Sequence, residues 1–307
     1  MTDTEATRPR GVFAAVLTPF TADLSPDLPV FLEHCRWLLD NGCDGLGILG
    51  TTSEANSLSV EERLTLIEAM GASDLPRERL IIGTGCCAIP DTVRLTRAAL
   101  EIGAAGVLVL PPFFYKNMSD DGLFAAYAET IERTGDDRLR LYVYHIPAMT
   151  GLDMGLDLIG RMIAAYPETV VGLKNSSGDW DNIAAMIRAF PGFDVFAGTE
   201  QYLLPALRAG GAGCISATTN AFCREAAAVY ADWRGAEAAA LQQHLTALRL
   251  AVQAVPAIPA LKQIMARATG RAGWLNIRPP LTRLGEEQTR ALFASLDSLG
   301  YALPAAA

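Results

Sequence analysis

Residues 169–180 read TVVGLKNSSGDW, a short apolar strand that ends in a single lysine and is followed by polar residues that begin a helix. Because side chains alternate along a strand, the pattern predicts that Val170, Gly172 and Lys174 share one face and that Val171 and Leu173 share the other. Burial disfavours the protonated form of an amine, and a neutral amine in an apolar pocket is the nucleophile that Schiff-base chemistry needs. The pattern alone leaves open a surface lysine at the end of a strand.

Lysine is scarce in this chain. Only three of its 25 basic lysine and arginine residues are lysines, namely Lys116, Lys174 and Lys262. Arginine has taken over as the surface cation, yet a lysine remains at residue 174, where an arginine would not form an imine. The composition therefore favours a chemical role for Lys174.

Strand-like and helix-like segments alternate eight times on either side of this stretch, between Gly11 and residue 220. Eight such units predict an α/β fold of the (β/α)8 TIM barrel type, with chemistry at the carboxyl ends of the strands. A doubly wound open sheet is the main rival. We expect a flexible tail over residues 1–10, the barrel over 11–220 and a C-terminal helical extension over 221–307.

Two glycine-rich segments resemble phosphate-binding motifs but are misplaced for that role. Gly45-x-Gly47-x-x-Gly50 matches the dinucleotide fingerprint formally. Its glycines lie within a predicted strand, not between a strand and a helix, which disfavours a nucleotide site. Residues 210–213 precede the eighth strand, whereas a barrel enzyme with a phosphate site would carry the glycines after it.

Composition excludes several classes of partner. A net charge of −9 argues against nucleic acid and anionic membrane surfaces. The six cysteines form no Cys-x-x-Cys pair and the three histidines no His-x-x-x-His, so no metal site is expected. The amino terminus lacks the apolar core of a signal peptide, and no apolar run is long enough to span a bilayer. We expect a cytoplasmic protein.

Polar groups follow four of the predicted strands. The Gly50–Glu54 turn has hydroxyls and backbone N–H groups suited to a carboxylate, or it caps a helix. Tyr144 precedes the Lys174 strand and has matching parity, so a phenol beside the amine would shuttle protons; a core tyrosine is the simpler reading. Residues 198–201 and 215–216 end the seventh and eighth strands.

Taken together, these motifs resemble the dihydrodipicolinate synthase / N-acetylneuraminate lyase family of pyruvate-dependent class I aldolases, over roughly residues 11–285. The matching segments, in chain order, are Gly11-Val12 with Leu17-Thr18-Pro19-Phe20, Gly50-Thr51-Thr52-Ser53-Glu54, Tyr144-His145-Ile146-Pro147, and Gly172-Leu173-Lys174-Asn175-Ser176-Ser177-Gly178-Asp179. The order and spacing make the resemblance specific.

The resemblance implies roles for five residues. Lys174 would form a Schiff base with a small 2-keto acid, pyruvate, and Tyr144 would be the proton donor and acceptor. Thr51 and Thr52 would hold the pyruvate carboxylate, and the Ile215 carbonyl would line the pocket. No metal or diffusible cofactor is implied, and a homodimer or homotetramer is expected.

Departures from the family pattern bear on the substrate. Met149 stands where the synthases carry an arginine for the aldehyde's carboxylate, and Ser53 replaces a glycine and adds a hydroxyl. Phe114 stands at the interface tyrosine of a proton relay, with Tyr115 adjacent. Glu200 falls where the sugar-acid lyases bind hydroxyls.

The preferred reading is therefore a lyase for a 2-keto-3-deoxy sugar acid or a related 4-hydroxy-2-keto acid. The alternatives are 4-hydroxy-tetrahydrodipicolinate synthase, a keto-deoxy sugar acid dehydratase and a non-catalytic keto-acid-binding barrel.

Overall fold

Eight parallel strands pair in chain order, and β1 pairs with β8 to close a barrel in the computed structural model, which describes residues 8–302. The predicted (β/α)8 TIM barrel is confirmed. The strands are β1 Gly11–Ala15, β2 Gly45–Ile48, β3 Leu80–Gly83, β4 Gly106–Val109, β5 Leu141–His145, β6 Val170–Asn175, β7 Asp194–Ala197 and β8 Gly213–Ser216.

Helices surround the barrel and continue beyond it. They are α1 Leu28–Asp40, α2 Val60–Ala72, α3 Ile89–Glu101, α4 Asp120–Thr134, the short α5 Pro147–Thr150, α6 Leu156–Ala165, α7 Trp180–Ala189, α8 Leu203–Ala209, α9 Thr219–Ala231, α10 Ala238–Gln253, α11 Ala257–Thr269 and α12 Glu286–Ser298. A capping box begins α2: the Glu62 backbone N–H donates to Ser59 Oγ (3.1 Å), and the Ser59 N–H donates to Glu62 Oε2 (2.8 Å).

Aromatic rings facing glycines fill the inside of the barrel. A Cβ on Gly45 would lie 2.1 Å from the Phe13 ring, and one on Gly172 would lie 2.4 Å from the Tyr142 ring. Only glycine leaves room for these rings. Gly45 in the formal dinucleotide pattern is thus a packing residue of the barrel interior.

Strand β6 departs from simple alternation near its start. Its register against β5 shifts between Leu141 and Tyr142, so that Leu141 faces Val170 while Tyr142 faces Gly172. Val171 consequently packs in the interior cluster, and Val170 packs in the outer core between barrel and helices. The prediction that Val170 shares a face with Gly172 was wrong, because an irregularity that adds one residue reverses the parity on one side of it.

The segment after β8 begins with a helix that belongs to the barrel. Helix α9 packs against β1 and α8, so the predicted boundary at residue 220 falls inside it, just after its first residues. Helix α10 contacts α8, α9, α11 and α12. Among the described residues no single helix is long and apolar enough to cross a membrane, and α10 and α11, which together have the length, meet at a bend of 106°.

The chain is anchored just before β1. Arg8 Nε lies 3.2 Å and Arg10 Nη1 2.5 Å from the carboxylate of Asp194, a residue that is 1% exposed at the start of β7. These contacts lie at the opposite end of the barrel from Lys174. Residues 1–7 of the predicted tail lie outside the described residues, and the division into tail, barrel and extension stays a prediction.

His34 ties α1 to the barrel and to the C-terminal segment. Its Nε2 is 2.8 Å from Asn220 Oδ1, and its ring packs edge-on against Trp274, with the ring centroids 5.0 Å apart. Burial lowers the pKa of His34 from 6.5 to about 4, and the hydrogen bond to Asn220 only partly opposes the shift. The native state therefore binds fewer protons than the unfolded state between these two pH values.

We expect His34 to make stability fall as pH drops through this window. In this window His34 takes up a proton in the unfolded chain but not in the native state. The free energy of unfolding therefore falls, by roughly 3 kcal/mol at the acid end of the window. Urea unfolding at about pH 7 and about pH 5 should show a smaller difference for His34→Gln than for the wild type. The matched control, His244→Gln, removes an exposed histidine of α10 and should keep the wild-type difference. Equal pH dependence in all three proteins would contradict the assignment.

Candidate active site

Lys174 lies near the end of β6 and points into the barrel. It is 4% exposed, its Nζ donates a hydrogen bond to Tyr144 Oη at 3.2 Å, and it lies 4.4 Å from the centre of the Tyr144 ring. The two residues face each other in the β5–β6 register. The amine and the phenol therefore sit side by side in a buried place, as the matching parity predicted.

A third polar group extends this pair. Thr51 Oγ1 lies 3.3 Å from Tyr144 Oη. Burial raises the pKa of Tyr144, but the charge of Lys174 and hydrogen bonds with Thr51, Lys174 and Ser176 outweigh burial, so that the pKa lies below its usual value. A phenol of this kind gives up its proton more readily than a free tyrosine.

The Gly50–Glu54 turn places Thr51 beside Tyr144. The turn is closed by hydrogen bonds from Ser53 N to Gly50 O and from Glu54 N to Thr51 O, both 3.1 Å. Thr52 is 6% exposed. Ser53 Oγ donates to the Val16 carbonyl at 2.5 Å, so its hydroxyl holds the turn onto the segment after β1. The hydroxyl proton of Ser53 is thus used within the protein, and the predicted role of Ser53 in binding substrate stays a prediction.

Glu200 follows β7 but is enclosed by protein groups. It is fully buried, and its carboxylate accepts hydrogen bonds from Ser216 Oγ, Thr218 Oγ1 and, at 3.1 Å, Arg249 Nη1. Both oxygens already accept hydrogen bonds from protein groups, and the predicted role of Glu200 in binding substrate hydroxyls stays a prediction. Arg249 of α10 was not foreseen, because nothing in a helical repeat indicates that one arginine reaches a strand end.

Ile215 lies where the sequence places it, on β8 beside the barrel interior. It is 1% exposed and packs in the same cluster as Tyr144 and Phe196. A small cavity beside Tyr144 and Thr51 has room for about one water molecule and is also lined by the buried Arg63, which the sequence did not indicate.

The remaining predicted residues are exposed on the loops after β4 and β5. Met149 on α5 is 67% exposed, and Phe114 and Tyr115 are 70% and 68% exposed. Lys116 joins the two loops, because its Nζ donates to the Phe113 carbonyl (2.5 Å) and the Thr150 carbonyl (2.6 Å). The rings of Phe114 and Tyr115 pack edge-on with their centroids 5.3 Å apart, and residue 149 supplies no cation to the site.

The described residues contain no cluster of side chains that could bind a metal ion. Within residues 8–302, no three histidine, cysteine or carboxylate side chains come together in a way that would hold a metal ion. The chemistry that can be assigned rests on the amine, the phenol and the hydroxyls already described.

A buried lysine beside a tyrosine at the carboxyl ends of barrel strands defines the class of lyases that act through an imine. Comparison with known proteins narrows this class. The sequence matches the dihydrodipicolinate synthetase family over residues 8–299, and the chain belongs to that family. It is a pyruvate-dependent class I aldolase, and enzymes of the family work through a lysine imine without an external cofactor.

Individual relatives match along nearly the whole chain. An uncharacterised DapA-like lyase of Chloroflexus aurantiacus is 36% identical, covering 95% of this chain and 97% of its own. Dihydrodipicolinate synthase from Agrobacterium tumefaciens superposes with a TM-score of 0.88 at 31% identity, covering 95% and 99%. YagE of E. coli, solved in complex with pyruvate, gives a TM-score of 0.87 at 26% identity, with the same coverage.

Proposed function

We propose that Lys174 forms the imine with pyruvate and that the enzyme makes or breaks a carbon–carbon bond between pyruvate and an aldehyde. The observation that carries this proposal is the 3.2 Å contact between Lys174 Nζ and Tyr144 Oη in the buried barrel interior. In the cleavage direction the amine attacks the 2-keto carbon and water leaves. The protonated imine then accepts the electron pair released when the bond between C3 and C4 breaks.

Tyr144 moves the protons of this cycle. It takes the proton from the C4 hydroxyl as the aldehyde departs, and a proton then goes to C3 of the resulting enamine. Hydrolysis of the imine releases pyruvate and restores the amine. Thr51 and Thr52 bind the carboxylate through the turn after β2, and the Ile215 carbonyl lines the pocket; Thr51's contact with Tyr144 supports this placement.

The substrate class that we propose is argued from the side chain of Met149. A methionine offers no charge-assisted hydrogen bond to a second carboxylate, a contact worth about 1.5–3 kcal/mol. We therefore propose a 2-keto-3-deoxy sugar acid or a related 4-hydroxy-2-keto acid as substrate. The synthase reaction, which joins pyruvate to aspartate semialdehyde, is the second candidate, favoured by the 31% identity to the Agrobacterium enzyme.

The same imine also supports dehydration of a keto-deoxy sugar acid, and a barrel that binds a keto acid without turnover is the remaining reading. A substrate panel separates these four. We expect keto-deoxy sugar acids to release pyruvate, measured with lactate dehydrogenase. Release of water with retention of the carbon chain, seen by mass spectrometry, would indicate the dehydratase. Ligand binding with no turnover of any keto acid would indicate the binding protein.

A matched pair of variants tests the role of residue 149. Met149→Arg should increase kcat/KM for condensation with aspartate semialdehyde by roughly 10- to 100-fold. Met118→Arg adds the same charge at another exposed methionine, 42% exposed before α4, and should leave this value unchanged. Efficient condensation by the wild type, or equal gains in both variants, would contradict the proposed substrate class.

We also propose that the chain forms a homodimer or homotetramer in the cytoplasm, with the surface around Phe114 and Tyr115 at an interface. Two adjacent aromatic side chains that are about 70% exposed support this, because a monomer gains nothing from exposing them. Sedimentation velocity of the wild type and of Phe114→Ser would show whether the assembly depends on this surface.

A further inference from the structure

Lys262 of α11 is a second buried lysine, and the proposed chemistry does not use it. Its side chain is 2% exposed, and Nζ lies 2.5 Å from Glu54 Oε1. Nζ also donates to the Asn276 carbonyl at 2.8 Å and lies 4.2 Å from the centre of the Phe20 ring. Burial lowers the pKa of Lys262, while the charge of Glu54 opposes the shift. The amine is thus enclosed by groups that hold a cation.

Glu54 is the last residue of the turn that carries Thr51 and Thr52. Its backbone is in the left-handed region, with φ of 56°, which is unfavourable for a residue with a side chain. Its N–H donates to the Thr51 carbonyl at 3.1 Å, and its Oε2 accepts the backbone N–H of Arg278 at 3.0 Å. Among the described residues, the fully buried carboxylate is held by groups of the C-terminal segment, more than 200 residues away in the chain.

We propose that Lys262 is a positioning residue that, through Glu54, holds the Thr51–Thr52 turn where it binds the carboxylate of the keto acid. This inference rests on the proposed function. A buried carboxylate that loses its cation must take up a proton or move toward water. Either change lets the strained backbone at Glu54 relax. Because the Glu54 N–H is bonded to the Thr51 carbonyl, Thr51 then moves as well, away from Tyr144.

The experiment separates substrate affinity from chemistry. Lys262→Met replaces the amine with an apolar side chain of similar length. We expect KM for pyruvate, measured in the condensation direction, to rise roughly 10-fold, the effect of losing a hydrogen bond to a charged group. At saturating pyruvate, kcat should change less than about 3-fold, because Lys174 and Tyr144 remain in place. Glu54→Gln should give the same split and keeps the test informative if Lys262→Met fails to fold.

Asp194→Asn is the matched control. It also weakens a buried carboxylate that pairs with a cation, but at the opposite end of the barrel, against Arg8 and Arg10. We expect a lower melting temperature with an unchanged KM for pyruvate. A melting temperature lowered in all three variants, with KM within 2-fold of wild type throughout, would reduce the Lys262–Glu54 pair to a structural contact.

Failure of this inference is distinguishable from failure of the proposed function. If borohydride and pyruvate label Lys174 in the wild type while the variants keep a normal KM, only the positioning role is lost. If the wild type is not labelled at Lys174, the proposed function itself is wrong.

Discussion

Replacing Lys174 with methionine is expected to lower kcat on the order of 10⁶-fold, as loss of a covalent nucleophile does elsewhere. Methionine has nearly the length of lysine and suits the apolar barrel interior, so the fold should remain, but no nitrogen is left to form the imine. The direct measurement is reduction with borohydride in the presence of pyruvate, followed by peptide mass mapping. The wild type should carry one adduct, on the peptide that contains Lys174.

The other two lysines are the controls for this labelling. Lys116 is exposed, with its Nζ on two backbone carbonyls, and Lys262 is buried but paired with Glu54. Lys116→Met should keep the adduct on Lys174. An adduct that persists in Lys174→Met, or that maps to Lys116 or Lys262, would overturn the assignment of the nucleophile.

Tyr144→Phe is expected to lower kcat between about 10²-fold and 10⁴-fold, the usual contribution of a positioned acid–base group. The variant removes the hydroxyl that contacts both Lys174 and Thr51 while the ring stays in place. KM for pyruvate should change little, since the carboxylate-binding turn is held by other contacts. Stopped-flow measurement of imine formation and of turnover would show which proton transfers slow down.

The role of Tyr144 also predicts how activity changes with pH. In the condensation direction the Tyr144 hydroxyl donates a proton to the aldehyde oxygen, which it does only while it is protonated, so condensation activity should fall as pH rises through the pKa of Tyr144. Because that pKa is lowered, the fall should begin below pH 10.0. In Tyr144→Phe this alkaline limb should disappear.

Tyr142→Phe is the matched control for Tyr144→Phe. Tyr142 is two residues earlier on β5 and also fills the barrel interior, and its hydroxyl has no hydrogen-bond partner within the described residues. Its removal should leave kcat within about 3-fold and keep the alkaline limb. Equal losses in the two variants would show that the barrel interior, and not the Tyr144 hydroxyl, limits the rate.

Much of the site was predictable because it depends on local rules. Tyr144 and Lys174 each stand an even number of residues from an interior neighbour on their own strand, so strand parity was enough to turn both inward. The Gly50–Glu54 turn was recognisable from its glycine and hydroxyls. Parity failed only at Val170 and Val171, where the register shift between β5 and β6 depends on the partner strand.

The sequence by itself determined the barrel, its eight strand–helix units and the facing pair of Lys174 and Tyr144, because hydrophobic period and strand parity are properties of short segments. Only the tertiary structure determined which groups the side chains of Glu200, Ser53 and Lys262 contact. Whether a buried charge or hydroxyl is free for a substrate depends on its neighbours, and here these come from distant segments: Arg249, the Val16 carbonyl and Glu54. Folding alone brings such groups together, because partners this far apart in the chain leave no local sequence pattern that would indicate the pairing.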